Sequence, residues 1–265
     1  MKYKMLVLDM DDTLLNDNHE ISVENRTMLE KAKAKGVQII LASGRPTPAM
    51  IEYAKDLGLM DSYMISFNGA VITDLSTNEV IFEQSLTQEQ IHALYDYSKA
   101  KNTHIITYLD GKVVSETHSE YIDVEVNITG LEHEIVPNFK ERVQTSAIKC
   151  ILLEEPSYLK EVETDLKAAM PHLSVCMSKP FFLEAAQTGI DKGASVKFLA
   201  EKLNIAQAEV IAVGNAGNDL SMIEYAGLGV WVDNVDAHLR DKGNAVVASN
   251  NDHGVAEVIE RFILA

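Results

Sequence analysis

Short apolar runs alternating with amphipathic helical segments constrain this chain more than any other feature. Met5-Leu6-Val7-Leu8, residues 37–41 and residues 64–67 read as strands, with helical patterns at 22–35 and 49–57 between them. Ser22 is placed to cap the first helix and Gly36 to close it. Strands without polar interruption bury both faces. Strands joined through helices of this length pair in parallel by right-handed crossovers. The last third repeats the pattern: helix at 192–203, strand at 210–213, helix from Leu220, short strands at 228–232 and 245–248, and a closing helix at 254–264.

The middle of the chain differs. Thr87-Gln88-Glu89-Gln90 is a capping box that opens a helix to about residue 101. Asp110-Gly111 joins two strand-like runs, 105–109 and 112–115, as a hairpin. A strand at 147–153, a helix at 157–170 and a hairpin built from 173–177 and 181–185 follow. The predicted architecture is α/β: a Rossmann-like parallel-sheet core from residues 1–82 and 186–265, with an inserted α+β domain over 83–185.

The first strand ends in Asp9-Met10-Asp11-Asp12-Thr13. Carboxylates crowded at a strand terminus are poor core material, but they suit a ligand site at the carboxyl edge of a parallel sheet. Such crowding suggests a divalent cation, and Mg2+ matches the carboxylate and amide oxygens here. Asp9 and Asp11, two apart on an extended end, share a face. One carboxylate can attack phosphorus, and the other can protonate the leaving oxygen and then deprotonate water. Ser43 adds a hydroxyl, Gly44 a close backbone approach, Lys192 a point charge, and the N–H groups of Met10 and Asp11 a small anion nest. The loop 214–219 completes the set.

A net charge of −17 argues against nucleic acid and anionic membranes as partners, and leaves a small phosphorylated metabolite. No signal-peptide pattern opens the sequence, and no apolar stretch reaches the ~18 residues of a spanning helix, so a cytoplasmic location is expected. Cys150 and Cys176 lie in strand-like runs and are expected to be reduced and buried. Arg45 fits either contact with a substrate anion or support of its neighbours, and Asn68-Gly69 reads as a structural turn.

These motifs together resemble the haloacid dehalogenase-like hydrolase superfamily, specifically its Cof-type sugar-phosphate phosphatases. Asp9-Met10-Asp11-Asp12-Thr13 is similar to the first family motif, Ser43-Gly44-Arg45 to the second, Gly189-Ile190-Asp191-Lys192-Gly193 to the third, and Gly214 to Asp219 to the fourth. The insert matches the family's cap in place and size. The resemblance implies a Mg2+-dependent phosphoric monoester hydrolase working through an aspartyl-phosphate. In it Asp9 would be the nucleophile and a metal ligand, and Asp11 the general acid/base, lending its carbonyl to the metal. Thr13 would orient the loop, and Ser43 and Lys192 would hold the phosphoryl group. Asn218 would contact phosphate, and Asn215 and Asp219 would complete the metal shell.

Two departures carry consequences. Asp12 stands where many relatives have glycine. Asn215 stands where the family has a ligating aspartate; an amide oxygen brings no charge, so weaker metal binding is expected. A run with Trp231 and Asp233 places a bulky ring and an extra acid near the expected site. The alternatives are a phosphomutase using the same intermediate, and a catalytically weakened phosphometabolite-binding protein.

Overall fold

The structure, a computed structural model, describes residues 2–265. In chain order it opens with β1 (Met5–Leu8), α1 (Val23–Ala34), β2 (Gln38–Ala42), α2 (Ile51–Asp56), β3 (Tyr63–Ser66), β4 (Val71–Asp74) and β5 (Glu79–Glu83). Next come α3 (Gln88–Ala100), β6 (His104–Leu109), β7 (Lys112–Ser115), α4 (Glu120–Thr129), β8 (His133–Ile135), α5 (Phe139–Arg142), β9 (Lys149–Leu153), α6 (Pro156–Ala169), β10 (Leu173–Lys179) and β11 (Phe182–Gln187). The chain closes with α7 (Lys192–Lys202), β12 (Val210–Gly214), α8 (Leu220–Tyr225), β13 (Leu228–Val232), β14 (Ala245–Val247) and α9 (Gly254–Ile259). It divides into two compact units, Met1–Phe82 with Asp191–Ala265, and Glu83–Ile190. Among the described residues no helix is long and apolar enough to cross a membrane.

The first unit is an eight-stranded sheet in the order β14-β13-β12-β1-β2-β3-β4-β5. From β14 to β3 every pairing is parallel; β4 turns antiparallel on β3. Alternate side chains along each strand serve opposite layers. Leu6, Leu8, Ile39, Leu41, Ile211 and Val213 pack with Leu29 of α1 and Val258 of α9. Met5, Val7, Ile40, Ala42, Val210 and Ala212 pack with Leu199 of α7 and Met222 of α8. Both faces are therefore dry, which is why these strands read as continuous apolar runs. β1 lies between β12 and β2, with Leu8 level with both Val213 and Leu41. The chain thus leaves three adjacent strands, at Asp9, Ser43 and Asn215, along one carboxyl edge.

The second unit is a six-stranded sheet, β10-β11-β9-β6-β7-β8. One face buries Ile105, Cys150, Leu152, Leu183 and Ala185 under Leu94 of α3 and Leu159 and Val162 of α6. Asp110 and Gly111 both take positive φ, 52° and 74°, as the Asp-Gly hairpin requires. The opposite face carries the buried ion pair of Lys149 Nζ with Glu184 Oε1 at 2.9 Å. There the Tyr108 hydroxyl donates to the Glu125 carboxylate.

Several expectations need correction. Cys150 is buried, but Cys176 is exposed. β10 is an edge strand whose alternation turns Val175 inward and Cys176 outward. Trp231 lies one residue from the end of β13, level with Gly214, but its side chain is fully buried in the layer with Val7 and Met222. Its neighbours Val230 and Val232 face the other layer, and its ring lies against Gly243, where a Cβ would come within 2.7 Å of Trp231 Cδ1. Asp233 pairs with Arg240 at 2.6 Å. Residues 116–146, to which the sequence reading assigns no element, fold as α4, β8 and α5.

Candidate active site

The first core strand delivers Asp9 directly. The Asp9 N–H still donates to Val213 O at 3.0 Å, so its backbone is the last rung of the β1–β12 ladder. The side chain is almost fully buried, and its Oδ1 accepts from Lys192 Nζ at 2.6 Å. The same ammonium donates to Asp219 Oδ1 at 2.6 Å. Lys192 and Asp219 are wholly inaccessible to solvent. A buried charge survives only when paired, and here one cation serves two carboxylates.

That imbalance shows in the protonation energetics. Burial pushes the Asp9 carboxyl up to about 7, Asp219's charge adds to the shift, and Lys192 pulls against it. For Lys192, burial opposes the charge, but Asp219 and Asp9 outweigh it and hold the ammonium above its usual range. The centre thus carries excess negative charge away from water, which an added cation would offset.

Each neighbouring loop is held in place by its own sequence. Lys192 begins α7, whose N-cap Asp191 accepts from the Ala194 N–H at 2.7 Å. Asp219 Oδ2 accepts from the N–H groups of Asn215 and Ala216 at 3.0 and 3.1 Å, closing the loop after β12. A Cβ on Gly214 would lie 2.5 Å from Asp219 Cβ, so the strand must end in glycine for Asp219 to fold beneath it. Asp12 has φ 55°, the left-handed region that glycine adopts freely and aspartate tolerates. Its carbonyl accepts from Asn234 Nδ2 at 2.7 Å. Met10 and Thr13 are fully buried on the same loop.

Ser43 is also buried, and its Oγ accepts from the Arg45 N–H at 3.1 Å. Asp11 points differently from Asp9. Both of its oxygens are held by Arg45, Oδ1 by Nη2 at 2.7 Å and Oδ2 by Nε at 2.9 Å. Asn68 is more than a turn residue. A Cβ on Gly44 would lie 3.1 Å from Asn68 Nδ2, and Asn218 Nδ2 donates to Asn68 Oδ1 at 3.1 Å. Asn68 therefore joins the Ser43-Gly44 loop to the Asn218 loop. Its φ of 55° follows from the Asn-Gly pair, the only signal the sequence offered for it.

Asp9, Lys192 and Asp219 thus meet in one bonded cluster, Asp11 is held by Arg45, and Asn218 stands on Asn68. Among the described residues no three His, Cys, Asp or Glu side chains converge as a ready-made metal cage. The available donors are all oxygens, the chemistry of a hard cation.

An α/β core with an inserted α+β unit thus carries a buried carboxylate–lysine centre at the carboxyl edge of its sheet, where such folds bind ligands. The chain belongs to the haloacid dehalogenase-like hydrolase family, whose model matches residues 6–259. YxeH from Bacillus subtilis (strain 168) is 36% identical over 99% of each chain. YcsE from the same organism, a 5-amino-6-(5-phospho-D-ribitylamino)uracil phosphatase, is 31% identical over 98% of this chain and 96% of its own. A haloacid dehalogenase-like hydrolase from Bacteroides thetaiotaomicron superposes with a TM-score of 0.94 at 33% identity, over 99% of this chain and all of that one. The chain is thus a hydrolase of a family whose relatives at this level of identity are named as phosphatases.

Proposed function

We propose that the protein is a Mg2+-dependent phosphatase of a sugar phosphate or similar metabolite in the cytoplasm, working through an aspartyl-phosphate on Asp9. The observation that carries this reading is the buried Lys192 bridge between Asp9 and Asp219 at the end of β1. Lys192 orients the Asp9 carboxylate and supplies positive charge where phosphoryl oxygens gather it. In the first half-reaction an Asp9 oxygen bonds to phosphorus as the bond to the leaving oxygen breaks. Asp11 gives that oxygen its proton. In the second, water attacks phosphorus, its proton passes to Asp11, and the Asp9–phosphorus bond breaks. Ser43, the Gly44 and Met10 backbone, Lys192 and Asn218 are the phosphate-binding groups in this scheme.

In this scheme the Asp9 carboxylate, the Asp11 carbonyl and the Asn215 amide would hold the metal, with the Asp219 carboxylate beside them. They fit Mg2+, since the centre has an unbalanced buried carboxylate and offers oxygen donors only. Both Asp219 oxygens are already engaged, by Lys192 and by two backbone N–H groups, so Asp219 contributes chiefly charge and loop shape. When bound, Mg2+ would supply charge neutralisation for the nucleophile and the phosphoryl group.

The test is phosphate release with Mg2+ from sugar phosphates, polyol phosphates, nucleotides and phosphorylated cofactors. The ribityl phosphate that names YcsE belongs among them. Release of inorganic phosphate is expected. Isomerised sugar phosphate without release would instead mark a phosphomutase. Binding without any turnover would mark a phosphometabolite-binding protein, the reading that Asn215 favours.

A further inference from the structure

Arg45 is built into place more firmly than a surface ion pair needs. Its N–H donates to Ser43 Oγ at 3.1 Å, and its carbonyl accepts from the Phe67 N–H at 3.0 Å. Its side chain is 9% exposed, against 41% for Asp11. The guanidinium lies over the Tyr53 ring, with Cζ 5.5 Å from the centroid. The Tyr53 hydroxyl donates to His19 O at 3.4 Å, and His19 Nδ1 lies 3.8 Å from Asp11 Oδ1. Asp11, Arg45, Tyr53 and His19 therefore form a closed ring. Such a pair adds little stability beside solvent. A stacked, forked guanidinium does fix direction, because its planar donors are held before the carboxylate arrives.

We propose that Arg45 is a positioning residue for Asp11, setting the direction in which that carboxyl meets the leaving oxygen and later the attacking water. The proposal rests on the reading of Asp11 as the general acid/base. A carboxyl group has about four lone-pair directions. The fork engages those on one side and leaves the outward ones to the substrate. Without it, the half-exposed Asp11 samples other rotamers, and proton transfer loses the defined geometry it requires. Arg45 itself forms and breaks no bond, and the proton path remains between Asp11 and the leaving oxygen.

Two probes separate this role from phosphate binding. p-Nitrophenyl phosphate expels a stable phenolate and needs little protonation, whereas glycerol phosphate expels an alkoxide and needs it fully. Water attack on the phospho-enzyme also uses Asp11 and is common to both probes, so the split is read in kcat/KM, which ends at phosphoryl transfer. Arg45→Gln should lower kcat/KM on glycerol phosphate by about 100-fold and on p-nitrophenyl phosphate by less than about fivefold. Arg45→Lys should restore part of the loss. Added to Asp11→Asn, Arg45→Gln should cost nothing further. Equal losses in kcat/KM on both probes, or a further loss in the Asp11→Asn background, would overturn the proposal. If Arg45→Gln does not fold, Tyr53→Leu removes the seat beneath the guanidinium and must show the same split in milder form. An Asp11→Asn enzyme that fails to distinguish the probes would overturn the acid/base reading itself, and this proposal with it. A split for Asp11→Asn without one for Arg45→Gln would sink the Arg45 role alone.

Discussion

At the scale of single residues, the centre is a problem in charge balance. Lys192 faces Asp9 and Asp219 with no solvent contact. Removing one member of such a group leaves an uncompensated buried charge and costs about 3–5 kcal/mol. Lys192→Met should therefore lower the unfolding midpoint markedly, and adding Asp9→Asn should recover much of it. A Lys192→Met protein as stable as the parent in denaturant unfolding would mean the charges are not balanced as described. Asn215 is the complementary case. Replacing it with aspartate adds ligand charge, and ligand charge count sets affinity for hard cations. Asn215→Asp should tighten Mg2+ binding by roughly tenfold or more, measured by calorimetry, and raise turnover at low Mg2+. Unchanged affinity would remove Asn215 from the donor set. The acidic cluster was legible from the sequence because like charges crowded at a strand end have few structural uses; Lys192, alone an ordinary lysine at a helix start, was legible through the motif around it. The Arg45–Asp11 pairing and the Asn68 link were not, since both depend on loops whose paths no local pattern fixes.

At the scale of elements, α4 shows where periodicity misleads. Its segment Ile122-Asp123-Val124-Glu125-Val126-Asn127-Ile128-Thr129 alternates apolar and polar residues and is rich in branched side chains, a strand pattern. It folds as a helix because Ser119 caps it, accepting from the Ile122 N–H at 3.2 Å, and Gly130 ends it with φ 66°. The helix then buries Ile122, Glu125 and Thr129, positions spaced for one helical face, at the expense of an acid in the interior. Burial raises the Glu125 pKa, against opposing pulls from Lys149 and Tyr108. A carboxyl raised on folding binds more protons in the native than in the unfolded state, so stability falls as pH rises past its unfolded value near ~4.3. Glu125→Gln keeps an acceptor for Tyr108 and removes that penalty. The variant should melt above the parent at pH about 8, with the gap closing toward pH about 4. A gap independent of pH would refute the assignment. By contrast, the capping box at Thr87 and the Asp-Gly hairpin formed as read, because each is a local rule that tertiary contacts did not override.

At the scale of the whole molecule, one sheet is built from both ends of the chain. β1 pairs with β12 some two hundred residues away, and the Lys192–Asp9 bond spans 183 positions. The parallel core was readable because strands buried on both faces declare themselves as apolar runs. The strand order was not, since periodicity says nothing of which runs become neighbours. It is this order, with β1 between β2 and β12, that sets Asp9, Ser43 and the Asn215–Asp219 loop along one edge. The central claim is that Asp9 takes the phosphoryl group. The most direct test is rapid acid quench during turnover with Mg2+, followed by mass analysis of peptides. The account predicts one phosphoryl group on the peptide bearing Asp9, and none in Asp9→Asn, which should release no phosphate. Turnover that persists in Asp9→Asn, or a phosphoryl group found on another peptide, would contradict it.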